Sequence, residues 1–226
     1  MPLKVVPRRD RKLHRLVKKG ETRVLNRGET LFSPGDPGGE LFLVRTGHLQ
    51  LISHPGSPEE RVVGLAGPWE LTGEEGLLPG ASRRTGGRAG ERTQVTPLEG
   101  EGVSRALRTA SKTYGAFLLA KEEELALARA LAGPRRAGGA SGHLAALLVH
   151  LSNRLGRAEE KNGVRIPIRL THQALADLSG SHRSTVTTLL NDWIYEGVLL
   201  REKGQIRILR PDALAREKAP DSGGLR

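Results

Sequence analysis

Residues 171–193, THQALADLSGSHRSTVTTLLNDW, decide how this chain is read. Thr171 is placed to cap a helix in which Ala174, Leu175 and Leu178 recur at helical spacing. Gly180 supplies the backbone freedom that a sharp turn between helices needs, and Ala176, four residues earlier, lets the two helices approach. Ser181 is expected to cap a second helix, whose buried stripe is Val186, Leu189, Leu190 and Trp193. Left outward on that helix are Arg183, Ser184, Thr185, Thr187 and Thr188, flanked by His182. Such groups reach base edges and phosphates through hydrogen bonds and charge. The pattern implies a helix-turn-helix, and its outward face implies double-stranded DNA.

Downstream, residues 198–201 and 205–209 flank Lys203-Gly204 and predict a two-stranded wing. Upstream, Leu144, Leu147, Leu148, Leu151 and Leu155 share one face of a helix predicted over 141–155, so the DNA-binding domain is expected over 141–210. Gly133-Pro134 and Gly138-Gly139 predict a hinge at 134–140. Residues 111–133 read as a long helix, with Tyr114, Phe117, Leu118, Leu125 and Leu131 as its large apolar residues and Ala filling much of the rest. An Ala-rich stripe permits close approach of a second helix. Dimerisation through it and packing against its own domain both stay open. Residues 21–110 carry short runs such as Thr30-Leu31-Phe32, Leu41-Phe42-Leu43-Val44 and Leu49-Gln50-Leu51-Ile52, separated by Gly/Pro turns, and predict an antiparallel roll. The fold class is α+β. A basic arm at 1–20 and a flexible tail at 211–226 complete the expected order.

The formal net charge of +11 over 226 residues favours polyanionic partners. Residues 1–20 alone hold eight Lys/Arg against one Asp, whereas 165–210 hold seven against four Asp/Glu, so total charge does not locate the DNA surface. The absence of cysteine excludes disulfides, thiolate zinc sites, cysteine nucleophiles and cysteine-held iron–sulfur clusters. No apolar run approaches the about 18 residues that would suggest a membrane span. No apolar stretch follows the basic N-terminus, so a cytoplasmic protein without a membrane partner is expected. No phosphate loop ending in Lys-Ser/Thr, nucleophile elbow or His-Glu-x-x-His run appears, and an enzyme is not expected. The seven histidines show no paired ligand spacing with carboxylates, and His48 and His54 are expected at the surface rather than on a metal. A winged helix serving only protein contacts would present an apolar or acidic face at 181–188, where this chain has Arg, Ser and Thr.

A roll, a long helix, a hinge and a winged helix, in that order, resemble the Crp/Fnr family of transcription regulators over roughly residues 20 to 210. The wording THQALADLSGSHRSTVTTLL is most similar to the branch containing nitrogen-control regulators. The resemblance extends to Gly28-Glu29-Thr30-Leu31-Phe32 through Gly47, and to residues 67–78, GPWELTGEEGLL. It implies a cyclic-nucleotide-binding-like roll, a homodimer on a palindromic site, and contact with RNA polymerase. It also implies that Arg183 reads a guanine, donating twice to O6 and N7. Ser184 and Thr188 replace longer base-reading side chains of many members, so a different consensus is expected. Thr171, Gln173, His182 and Thr185 match phosphate-contacting positions; His172 and Thr187 flank them on the expected DNA face.

For an effector, the resemblance points to Gly73-Glu74 and Arg84-Thr85, at the spacing the family uses for a ribose hydroxyl and a cyclic phosphate; Arg92-Thr93 is an alternative register. An ungapped alignment places Ala128 and Arg129 where adenine-reading hydroxyls would stand. Two readings stay open: no cofactor, in a pocket keeping only its turn geometry, or a cyclic nucleotide such as cyclic AMP.

Overall fold

The computed structural model of the protein describes residues 21–109, 114–115, 118, 121–122, 125, 139–159 and 163–217. The basic arm, most of the 111–133 helix with Ala128 and Arg129, hinge residues 134–138 and tail residues 218–226 lie outside the described residues. The chain divides after Lys121 into two compact units, upstream of the expected hinge.

The first unit is built on eight strands: β1 (Arg23–Leu25), β2 (Thr30–Phe32), β3 (Glu40–Thr46), β4 (Leu49–Ser53), β5 (Arg61–Ala66), β6 (Leu71–Thr72), β7 (Gly86–Ala89) and β8 (Thr93–Glu99). They form two antiparallel four-stranded sheets, ordered β1-β8-β3-β6 and β2-β7-β4-β5. Strand β3 shows why the run Leu41-Phe42-Leu43-Val44 does not alternate. Successive side chains point to opposite faces. Phe42 and Val44 enter the core with Leu25, Phe32, Leu49, Ala89 and Val95. Leu41 and Leu43 instead pack with Leu71, Leu98, Val103 and Leu107, the last two from helix α1 (Gly100–Thr109). A strand covered on both faces must be apolar throughout.

The second unit opens with α2 (Gly139–Leu155), which buries Leu144, Leu147, Leu148, Leu151 and Leu155. Gly139 and Ala140, expected in the hinge, are its first two residues. After β9 (Arg157–Ala158) and β10 (Val164–Ile166) come α3 (His172–Ser179), α4 (Arg183–Tyr195), β11 (Leu199–Glu202), β12 (Gln205–Ile208) and α5 (Pro211–Glu217). The wing is wider than expected, a four-stranded sheet ordered β11-β12-β10-β9. Strand β10 stops before Pro167, which has no N–H to donate. Lys203 and Gly204, both at positive φ, make the two-residue β11–β12 turn. The first seven residues of the expected tail are helical instead, because Leu214 has a fully buried place against α2.

Candidate nucleic-acid interface

The helix-turn-helix is built locally as its residues dictate. Thr171 Oγ1 accepts the Ala174 N–H at 3.1 Å, satisfying one of the free donors at the start of α3. Gly180 sits at φ 65°, a left-handed conformation unfavourable for residues with a Cβ. The chain reverses there, with the Ser181 N–H donating to Ala176 O at 2.9 Å. Ala176 is 1% exposed, in keeping with the need for a small side chain at the turn. Val186, Leu190 and Trp193 are buried under α4, and Leu189 is half-buried. Ser181 is not the cap of α4: His182 takes that position, with no side-chain capping bond.

The nine proposed contact residues separate into two groups. His182, Arg183, Ser184 and Thr188 are exposed over the first turns of α4, and Thr185 is half-buried among them. Gln173 is exposed on α3, its amide donating to Asp177 Oδ1 at 2.7 Å. Thr171, His172 and Thr187 are half-buried and engaged within the domain. His172 Nδ1 lies 2.8 Å from Thr187 Oγ1, and the Thr187 hydroxyl donates to Arg183 O at 2.9 Å. Arg201 of β11 bonds His172 Nε2 through one guanidinium nitrogen and Leu170 O, at 3.2 Å, through another. Burial, together with the positive charges of Arg201 and Arg183, holds the His172 imidazole below the usual histidine range. Asn191, one turn beyond Thr188, is also exposed. The 184, 188, 191 spacing places it on the same helical face, a signal the sequence already carried.

In the roll, Gly73 is left-handed (φ 80°) and opens a short 3₁₀ helix, Glu74–Leu77. Glu74 Oε1 is ion-paired to Lys121 Nζ at 3.0 Å. Arg84 is exposed, its backbone N–H donating to Glu75 Oε1, and Thr85 is half-buried. The cation that enters the roll is Arg83, 4% exposed, which the sequence reading missed. Arg84, the next residue, stands at a bend and is exposed, so a single step along the chain separates inside from outside. The Arg83 guanidinium donates to Gly73 O at 3.0 Å and to Glu40 O. It also lies 4.8 Å and 5.3 Å from the ring centroids of Phe32 and Phe42. Nearby, a cleft lined by Thr30, Phe32, Ile52, Pro55 and Gly86–Arg88 holds about 40 Å³, room for a water or two. A Cβ on Gly87 would fall 2.5 Å from the Phe32 ring, so this floor is packed by the protein itself.

His48 is not at the surface as expected. It is fully buried, with Nδ1 3.1 Å from Glu91 Oε1, and it fits because Gly90 has no side chain: a Cβ there would sit 2.0 Å from Nε2. His54 is exposed. Among the described residues no group of three or more His, Asp or Glu could hold a metal ion, and no helix is long and apolar enough to cross a membrane.

A β-roll followed by a winged helix-turn-helix with a polar recognition face defines a DNA-binding transcription regulator. Residues 22–110 match the cyclic nucleotide-binding domain and residues 142–217 the Crp-like helix-turn-helix domain. The chain is 30% identical over 202 residues to the cyclic AMP receptor protein of Thermus thermophilus, covering 88% of each chain. It is 27% identical over 193 residues to the global nitrogen regulator of Synechococcus elongatus, covering 84% of this chain and 86% of that one. The solved structure of a Crp/Fnr-family regulator from Thermus thermophilus superposes with a TM-score of 0.63 at 26% identity, over 88% of this chain and 98% of that one. The chain belongs to the Crp/Fnr family of transcription regulators.

Proposed function

We propose that this regulator binds a palindromic promoter site as a homodimer, inserting α4 of each protomer into major grooves about 34 Å apart. The observation that carries the reading is the exposed run of His182, Arg183, Ser184 and Thr188 at the start of α4. Arg183 reads a guanine, while His182, Thr185, Gln173 and the first turn of α3 at Thr171 approach phosphates. Tyr114, Leu118 and Leu125 support a dimer: they are large apolar residues at helical spacing, each 44–49% exposed, and a second copy would cover them. Contact with RNA polymerase, a cytoplasmic location and a regulatory rather than catalytic role follow from this reading.

The roll acts without a nucleotide effector in this proposal. Arg83, stacked near Phe32 and Phe42, already supplies a cation and its bonds inside the roll, while Arg84 faces solvent and Glu74 is engaged by Lys121. Of the two effector readings, this packing favours the unliganded one over cyclic AMP held by Gly73, Glu74, Arg84 and Thr85. Genomic fragments selected on the full-length protein at moderate salt test the DNA reading: an enriched palindrome is expected, and no enrichment would sink it. Calorimetric titration with cyclic AMP tests the effector reading, for which no heat of binding is expected; micromolar affinity would overturn it.

A further inference from the structure

Three elements of the DNA-binding domain meet at one side chain. His172 stands at the start of α3, Thr187 in the second turn of α4, and Arg201 on wing strand β11. A guanidinium has only donors, so His172 Nε2, bonded to Arg201, must be the acceptor. The ring proton is then on Nδ1, and that N–H donates to Thr187 Oγ1 across 2.8 Å. The hydroxyl, having accepted, passes its own proton to Arg183 O at 2.9 Å. Each bond fixes the direction of the next, and the chain ends on the backbone of the residue proposed to read a guanine. Arg201 is anchored at its other end on Leu170 O, just before the Thr171 cap.

We infer that His172, as the neutral Nδ1–H tautomer, is a positioning residue that locks the recognition helix to the wing through Thr187. His172 and Thr187 therefore set the pose of Arg183 rather than touching DNA themselves. A base-reading guanidinium loses its paired bonds if its backbone rotates slightly, whereas phosphate contacts tolerate the shift. The relay thus controls sequence discrimination more than total affinity. The charged groups acting on the ring are Arg201 from β11 and Arg183 from α4, both positive. Protonating the ring would remove the Nε2 acceptor and set a third positive charge between them, so acid opposes the relay.

The inference rests on the DNA-reading role of α4, and its test separates the two. Long-range ¹H–¹⁵N correlation on the free full-length protein near neutral pH, with His172→Asn assigning the signal, should show protonated Nδ1 and bare Nε2. An Nε2–H tautomer or an imidazolium there overturns the relay whatever α4 does with DNA. On DNA, Thr187→Val and His172→Asn should each lower the affinity ratio between the selected palindrome and a scrambled duplex about tenfold. The double variant should lose little more than the worse single one, and the salt dependence should stay that of the parent. Additive losses in a parent that discriminates well would make the two residues independent DNA contacts and overturn the relay alone. A parent with no discrimination would overturn the DNA reading and the relay together. Acidification should lower the ratio in the parent; tighter binding to both duplexes on acidification with the ratio unlowered would mark His172 as a phosphate contact and overturn the relay.

Discussion

Arg83 in the roll and Arg183 on the recognition helix make opposite use of the same side chain. Arg83 is 4% exposed; its guanidinium donates to Gly73 O and Glu40 O and lies 3.5 Å from Glu75 Oε2, all in its own unit. Arg183 is exposed on the first turn of α4. A guanidinium turned inward bonds the chain to itself and stabilises; one turned outward keeps its donors for a partner. Two regions of one regulator thus divide into a roll that spends polar groups on its own interior and a winged helix that presents them.

The sharpest way to break the comparison is Arg83→Met. It leaves two carbonyl acceptors with unmade bonds in the roll, deprives the Glu75 carboxylate of its ion pair and removes the contacts to Phe32 and Phe42. A loss of about 2–4 kcal/mol in roll stability is expected by denaturant unfolding, with the winged-helix transition unmoved. Equal loss in both transitions would mean that Arg83 is not specific to the roll. Arg183→Ala should do the reverse. Stability should hold, while binding to the selected site weakens by about 1–3 kcal/mol, with relaxed preference at one base pair per half-site. Uniform weakening on every duplex would make Arg183 a phosphate contact.

Thr171→Ala should cost the winged helix about 1 kcal/mol by thermal unfolding through the lost cap on α3, and leave the roll as it was. The smallest effect is expected from Glu60, whose carboxylate takes both guanidinium nitrogens of Arg88 at 2.7 and 2.9 Å and the Gly56 N–H at 2.7 Å. Those bonds, Arg88 first, hold its pKa down to about 2 from 4.5. A depressed carboxylate pKa stabilises the fold above the unfolded value and loses that contribution as pH falls through the folded one. Roll stability should therefore decline between about pH 4.5 and pH 2, and Glu60→Gln should flatten that slope in acid unfolding curves.

Much of the architecture was legible because it rests on short-range rules. The Thr171 cap, the left-handed Gly180, the leucine face of α2 and the Lys203-Gly204 turn each depend on neighbours a few residues away. What escaped depended on distant partners. The tail helix α5 forms because Leu214 finds a pocket against α2, and His48 is buried because Gly90, over forty residues later, leaves room for its ring. The added strand β10 exists by pairing with β12, over forty residues later, and β9 by pairing with β10 in turn. Within the candidate site, exposure could be anticipated for Ser184 and Thr188, since helical periodicity sets them opposite Val186 and Leu190, whereas Arg183 shares the face of those two residues and is exposed as the first residue of α4. The internal engagement of His172 and Thr187 could not, because Arg201 lies about thirty residues downstream on another element.

By itself, then, the sequence determined the family, the order of roll and winged helix, and the polar face of α4. Periodicity, turn residues and side-chain chemistry are local properties, written in adjacent positions. Only the tertiary structure decided which of two adjacent arginines fills the roll, and which polar groups of the helix-turn-helix are held inside rather than offered to DNA. A one-residue register or a hydrogen bond between distant elements turns the same side chain from partner-facing to self-facing. That choice is made by the chain's packing against itself.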